Sequence, residues 1–236
     1  MSLTPELKSA LEKVTTATLT TVLLKKGVRR SYLSGPMPYT SGGFERIVGE
    51  AFTLRFVPAR EDLATPESWA SPISTRAAIE AMPEGVICVA DAMGVADAGI
   101  FGDILVQRMK VRGVAGLVTD GVMRDGAGVR SVDLPIWCAG VAAPASVAGL
   151  TFVGWNEPIG CGGAAVFPGD VIVADGDGAV VIPQAMVAAV AEAALEQELF
   201  EGWVHGEVIG GAALPGLYPP NEETKARYQA WRASRG

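Results

Sequence analysis

At 236 residues, 49% of them hydrophobic and 19% charged, the chain carries enough apolar side chains for a sizeable core and suits one large domain better than two, which excludes global disorder. Nineteen Lys and Arg against 26 Asp and Glu leave a net charge of −7, the wrong sign for gripping nucleic acid through its phosphates. Three widely spaced cysteines, Cys88, Cys138 and Cys161, suit a reducing cytoplasm, with Cys88 in an apolar run reading as a buried thiol, and neither a signal-peptide core nor an apolar run of the roughly 18 residues needed to span a bilayer is expected.

The chain opens with Thr4-Pro5 followed by Leu7, Leu11 and Val14, the pattern of one capped amphipathic helix that stops at Gly27 after Lys25-Lys26. A turn-rich connection covers 34 to 43. Residues 50 to 56 alternate as a half-buried strand. A helix is predicted over Pro72 to Met82, a strand between Glu84 and Asp91, a helix through Ile104, Leu105 and Met109 to Gly113, and a strand from Gly113 to Asp120. This strand, loop, helix, strand order is a βαβ unit and implies parallel pairing with a right-handed crossover. Short β-rich pieces at 136–138, 164–166, 171–173 and 180–182 follow, separated by Gly, Pro and Asp turns. A long helix from about Gln184 to Trp203 leads through the Gly/Pro-rich GGAALPGLYPPN into a final amphipathic segment with Tyr228 and Trp231. The pattern predicts a mixed α/β sandwich, a single domain over 1–210 with a C-terminal helical arm at 211–236 that packs at a subunit interface. No internal repeat is present.

Few residues can carry chemistry. The single histidine, His205, lies near the end of the long helix and has no Ser or Cys in a nucleophile-like setting beside it, so triad chemistry and a phosphohistidine carrier are both disfavoured. Without CxxC spacing or a histidine cluster a zinc site lacks ligands, and any metal must be a hard cation on carboxylates. Asp175-Gly176-Asp177-Gly178 has Met186 where a calcium loop requires a bidentate Glu, and reads as a β-turn. Gly126-Ala127-Gly128 does not complete a dinucleotide fingerprint.

Two clusters remain. Gly102-Asp103-Ile104-Leu105 stands at the start of a predicted helix, where free amides and the helix dipole form a seat for a carboxylate or phosphate, unless Asp103 merely caps the helix. Thr119 to Gly126 follows the next strand, at the edge where open α/β sheets bind ligands. Within it Arg124 offers a planar carboxylate clamp and Asp125 a hard-oxygen metal ligand, the groups needed for a 2-oxo acid chelated to Mg²⁺, although a solvated ion pair is the simpler account of two adjacent charges.

Asp103, twenty residues, then Arg124-Asp125 resembles the D-x20-R-D pattern of the RraA-like family, which contains metal-dependent 4-hydroxy-4-methyl-2-oxoglutarate aldolases. The stretch 113–121 resembles the family's strand before Arg-Asp, and Asn156 to Gly163, Pro168-Gly169-Asp170 and Ala174 to Gly178 resemble its β-rich half. The likeness covers about residues 10 to 210. It implies an α/β sandwich of the swivelling-domain type, assembled as a homotrimer or homohexamer. It further implies a metal-dependent lyase that releases pyruvate by retro-aldol cleavage and decarboxylates oxaloacetate. Gly102, Asp103, Ile104 and Leu105 would hold the substrate carboxylate, Arg124 its keto-acid end, and Asp125 the Mg²⁺ or Mn²⁺, with Asp103 taking the C4 hydroxyl proton through a water. An acidic residue from a neighbouring subunit, one of Glu196, Glu198 or Glu201, would complete the site. Residues 55–74, with Pro58 to Asp62 and Trp69, look longer and more polar than the aldolase pattern needs, so the substrate is expected to differ there. The alternative is a non-catalytic regulator that binds a ribonuclease. Members without enzyme activity lack the full D-x20-R-D set, and its presence favours catalysis.

Overall fold

The computed structural model describes residues 3–40 and 45–235; residues 41–43 of the predicted turn-rich connection lie outside the described residues. Where one N-terminal helix was expected there are two, α1 (Pro5–Leu11) and α2 (Thr16–Lys25). The break comes from Thr15, whose side chain caps α2 through the Thr18 amide while its own amide and hydroxyl donate to Glu198 at 2.7 Å. Gly27, at φ +90°, ends α2 as predicted.

Two short strands, β1 (Tyr32–Leu33) and β2 (Met37–Pro38), precede the twelve-residue β3 (Ile47–Pro58). Seven of its residues are buried, against the half-buried alternation expected, because it is paired on both sides. Its start pairs antiparallel with β8 (Val171–Asp175), its middle parallel with β4 (Ile87–Asp91), and its end antiparallel with β7 (Leu150–Trp155) after a shift at Arg55/Phe56. Strand β5 (Gly116–Thr119) then pairs parallel with β4, and β6 (Ile136–Cys138) parallel with β5. Strand β9 (Gly178–Ile182) closes the other side in a hairpin with β8 across the predicted turn at Asp175 to Gly178. The order is β1-β9-β8-β3-β4-β5-β6-β2, with β7 branching from β3. The piece at 164–166 is not a strand and contributes only the bridge Ile159–Val166.

Helices α3 (Thr75–Ala81), α4 (Asp103–Val111), α5 (Gly126–Ser131), α6 (Val187–Ile209) and α7 (Glu222–Ala233) complete the chain. Alternate side chains along each strand enter different cores, as the two-residue period of a strand dictates. Cys88 and Ala90 of β4 face a cluster with Ile79, Val106, Met109 and Val129, under α3, α4 and α5. Val171 and Val173 of β8 face Leu19, Leu23, Val190 and Ala194, under α2 and α6. The intervening residues, Val89, Val118, Trp137, Ile172 and Val181, meet in a third cluster between the two halves of the sheet. The predicted mixed α/β sandwich is thus present, and both faces of its strands are buried, which accounts for their nearly continuous apolar runs.

Asp175 fastens the halves together. Its carbonyl accepts from the indole Nε1 of fully buried Trp137 at 2.7 Å. Its carboxylate accepts from the Thr16 amide (3.0 Å), the Thr16 hydroxyl (2.7 Å) and the Asp177 amide (3.1 Å), and lies 3.5 Å from Arg46 Nε. Helix α7 packs along α6 of the same chain, with Tyr228 among Phe200, Trp203 and Trp231 and its hydroxyl donating to Glu196 at 2.7 Å. No helix of the described residues is long and apolar enough to cross a membrane.

Replacing Asp175 by Ala strips α2 of a buried acceptor and leaves Thr16 unpaired, so urea denaturation should show a loss of about 2–4 kcal/mol. Trp137→Phe, which removes one hydrogen bond and three heavy atoms from a fully buried position, should cost about 2–3 kcal/mol.

Candidate functional site

The site lies beyond the C-terminal ends of β4 and β5, where two loops are tied together. Gly99 forms a parallel bridge with Val122, the Ile100 amide donates to the Val122 carbonyl at 2.9 Å, and the Arg124 amide donates to the Phe101 carbonyl at 2.9 Å. This pairing sets the start of α4 against Arg124-Asp125, closing the twenty-residue gap between Asp103 and Arg124 seen in the sequence. A cavity of about 280 Å³ results, lined by Gly102, Asp103, Ile104, Leu105, Arg124 and Asp125. All six sequence-predicted site residues therefore face one hollow. It is also lined by Trp69, Thr75, Arg76 and Ser146.

Asp103 is not the N-cap. Gly102 holds that position and offers no side-chain cap, while Asp103, the first helical residue, accepts the Ile104 amide at 2.7 Å. The helix N-terminus thus faces the cavity without a capping side chain, and its dipole favours an anion there. Gly102 lets the Asp125 carboxylate come close: a Cβ at this position would lie 2.5 Å from Asp125 Oδ2 and would displace it.

Asp125 occupies the left-handed region at φ 53° and ψ 44°, a conformation that Asp tolerates better than most residues and that holds its carboxylate beside α4. Its Oδ2 lies 3.2 Å from Arg124 Nε. That contact is close in charge but not aligned as a hydrogen bond, since Arg124 Nε is buried and has no hydrogen-bond partner among the described residues. An unmatched buried guanidinium N–H calls for an oxygen acceptor in the cavity.

The donors suit a hard divalent cation. The cavity offers carboxylate oxygen from Asp125 and Asp103, whereas the three cysteines are buried elsewhere and burial pushes each thiol upward, Cys138 to about 11. Among the described residues no group of three or more His, Cys, Asp or Glu could hold a metal. One or two carboxylates with water and substrate making up the rest is the binding mode of Mg²⁺, and the residues fit it.

Beneath the loops, Asp120 is buried and accepts the Ala92 amide at 2.8 Å and the Gly162 amide at 3.1 Å, stitching the β5 end to neighbouring loops. Burial raises its pKa, with nearby Asp91 adding to the shift and the amide bonds opposing it.

Glu196, Glu198 and Glu201, one of which is expected to serve a neighbouring site, all make bonds within their own chain. Glu196 accepts from Tyr228, Glu198 from Thr15, and Glu201 from Gln197 (2.8 Å) and Tyr218 (3.1 Å). Burial works against the charge of Glu198, but the Thr15 bonds outweigh it and lower its pKa.

Arg76 and Trp69 were not foreseen as a pair. Trp69 lies on a 3-10 turn (Pro66–Ala70) within the long segment noted at 55–74, whose first four residues prove to belong to β3. Arg76, in the first turn of α3, sends its guanidinium over the Trp69 ring, 4.9 Å from its centroid. The length of the segment was its only signal in the sequence.

A family model described as "RraA-like: Aldolase/RraA" matches residues 16–181. Over 141 residues the chain is 38% identical to a Halalkalibacterium halodurans protein provisionally named a 4-hydroxy-4-methyl-2-oxoglutarate aldolase; the match takes in 59% of this chain and 61% of that protein, so the chain spans about three fifths of that relative. Among solved structures, Streptomyces coelicolor RraAS2, described as an unusual member of the RNase ES inhibitor RraA protein family, is 37% identical with a TM-score of 0.77, covering 87% of this chain and 98% of that one. An uncharacterized protein from Pseudomonas syringae pv. tomato DC3000 is 26% identical with a TM-score of 0.78, covering 91% and 93%.

Gly102→Ala should push the Asp125 carboxylate aside with an unchanged far-UV circular dichroism spectrum, and, if Asp125 holds a divalent cation, should weaken Mn²⁺ binding at least tenfold by calorimetry. Because Asp120 keeps its proton to higher pH in the folded than in the unfolded chain, its contribution to stability is full below the ordinary carboxylate range and is lost as pH rises through its raised value. Urea denaturation across pH should show this falling component in the wild type and not in Asp120→Asn.

Proposed function

The chain belongs to the RraA-like family, and we propose that its Arg124–Asp125 cavity is the active site of a divalent-metal-dependent lyase that breaks the C3–C4 bond of a 4-hydroxy-2-oxo acid to release pyruvate, and that also decarboxylates oxaloacetate. The observation that carries this reading is the buried, unpartnered Arg124 Nε beside a helix N-terminus and two carboxylates. Cation and dipole together draw the anionic end of a 2-oxo acid, and the carboxylates supply metal-binding and proton-accepting oxygen.

In this reading the Gly102 to Leu105 turn holds the substrate's C1 carboxylate through its amides other than that of Ile104, which donates to Asp103. Arg124 faces the keto oxygen and stabilises the charge that develops there as the bond breaks, a preorganised interaction of the oxyanion-hole kind. Asp103, held by the Ile104 amide, takes the C4 hydroxyl proton through a water. The C3–C4 electron pair passes into the enolate of pyruvate, C4 becomes a carbonyl, and protonation at C3 completes pyruvate. Asp125 would hold the Mg²⁺ or Mn²⁺, which when bound supplies Lewis-acid polarisation of the 2-oxo group. Oxaloacetate needs the same enolate stabilisation with carbon dioxide as the departing fragment. The 38% identical relative named for 4-hydroxy-4-methyl-2-oxoglutarate supports that compound as a model substrate.

Assembly as a homotrimer or homohexamer, with the arm at 211–236 at an interface, belongs to the same proposal. If one of Glu196, Glu198 or Glu201 serves a neighbouring site, it must give up a bond within its own chain.

A second reading, a non-catalytic regulator binding a ribonuclease, draws on the likeness to RraAS2. The two separate cleanly. Purified protein with Mg²⁺ and either oxaloacetate or 4-hydroxy-4-methyl-2-oxoglutarate should release pyruvate. EDTA should stop it, and Arg124→Ala and Asp125→Ala should each lower kcat/KM by about a hundredfold or more. Absence of pyruvate from both compounds with folded, metal-supplied protein would sink the lyase reading. A regulator would retain its affinity for a ribonuclease in Asp125→Ala and in EDTA.

A further inference from the structure

A second hollow, of about 500 Å³, adjoins the Arg124–Asp125 cavity, and Trp69, Arg76, Ile104 and Leu105 line both. Its walls include Trp69, Ile79, Ile104 and Leu105. The charges at its border, Arg108 and Glu80, are spent on each other in a two-pronged pair with both contacts at 2.7 Å. Ile104 is 80% exposed, more than any other large hydrophobic residue described, although it sits at the start of α4 beside Asp103. Among the described residues nothing covers it. Arg76 pins the Trp69 ring and makes no ion pair with any described carboxylate, so its guanidinium remains available where the two hollows meet.

We propose that this hollow is the specificity pocket for the substituent on C4 of the substrate, and that the substituent is an aromatic group much larger than methyl, with a carboxylate on C4 pairing with Arg76. The inference rests on reading the neighbouring cavity as the pyruvate-releasing site. With the C1 carboxylate on the first turn of α4, the chain of a 4-hydroxy-2-oxo acid runs past Asp103, and its C4 branch enters the space behind Ile104 and Leu105. A methyl group would leave that space filled with water against apolar walls, whereas a benzyl-sized group would cover Ile104 and lie against Trp69, the kind of contact that distinguishes ligands in apolar pockets. The second 2-oxo acid product would carry the substituent away, and pyruvate would be the same in every case.

The test compares 4-hydroxy-4-methyl-2-oxoglutarate with its 4-benzyl counterpart by the rate of pyruvate release. The expected result is a kcat/KM at least tenfold higher for the benzyl compound, a preference that collapses toward one in Trp69→Ala and survives in Trp69→Phe. Ile104→Ala, at an exposed position where folding is not at risk, should narrow the preference in the same direction. Equal or poorer use of the benzyl compound, or a preference untouched by Trp69→Ala and Ile104→Ala, overturns the proposal while leaving the lyase reading standing. If neither compound yields pyruvate the lyase reading fails, and calorimetry with 4-phenyl-2-oxobutanoate and pyruvate decides the pocket alone. Binding of the phenyl compound at least tenfold tighter than pyruvate, lost in Trp69→Ala, upholds the pocket, and equal affinities overturn it.

Discussion

The register of β3 is the constraint on which the other elements depend. One strand pairs with β8 over Ile47 to Glu50 and with β4 over Ala51 to Arg55, so the two halves of the sheet are positioned by a single stretch of backbone. A slip of one residue would exchange Phe52 and Leu54, which face the cluster under α3 and α4, with Ala51 and Thr53, and both cores would lose their fit. Because β4 and β5 take their register from β3 in turn, the height at which their loops emerge is fixed as well. The site inherits its precision from there.

What β3 sets coarsely, the backbone between Gly99 and Arg124 sets finely. Three main-chain links in this stretch, at Gly99, Ile100 and Arg124, hold one loop to the other without relying on any side chain that must later bind or react. The side chains of Asp103, Arg124 and Asp125 are left free for the cavity, apart from the Asp103 bond to Ile104 and the Arg124–Asp125 contact. Asp120 supports this arrangement from below by accepting the Ala92 amide, at the start of the β4–α4 loop, and the Gly162 amide of a further loop. A buried carboxyl is a costly support, but its two amide bonds offset part of that cost and make the loop ends rigid.

The sequence made the βαβ unit legible because α4 and β5 are short and bounded by Gly102, Gly113 and Asp120, and a helix and a strand of fixed length return the chain to the same edge. That is why Asp103 and Arg124-Asp125 return to one edge, although in the sequence it was the resemblance to the D-x20-R-D pattern that joined them. Features resting on distant partners were not legible. The break between α1 and α2 depends on Glu198, 183 residues from Thr15. The burial of Thr53 depends on the Glu157 carbonyl, which its hydroxyl meets at 2.7 Å. Capping by Asp103, the alternative that residue preference offered to an anion seat, is not what forms: Asp103 lies one step into the helix and Gly102 takes the cap, where the Asp125 carboxylate stands in the space of a side chain. Arg76 carried no local signal, since an arginine in the first turn of a helix resembles any solvated charge until Trp69 folds beneath it.

The electrostatics of the cavity run against those of the whole chain. A protein with a net charge of −7 repels extended polyanions, yet it gathers Arg76, Arg124 and an uncapped helix N-terminus around one small hollow. A compact anion entering it gains local attraction that a long polyphosphate, held off by the acidic surroundings, could not collect. Asp103 and Asp125 temper the positive field at short range, and under the proposed function they would supply oxygen to a cation, so that the cavity would favour a ligand bringing negative charge and a metal together over an anion alone. This balance is what distinguishes the pair Arg124-Asp125 from a surface ion pair of the same two residues, whose charges would be satisfied by each other and by water.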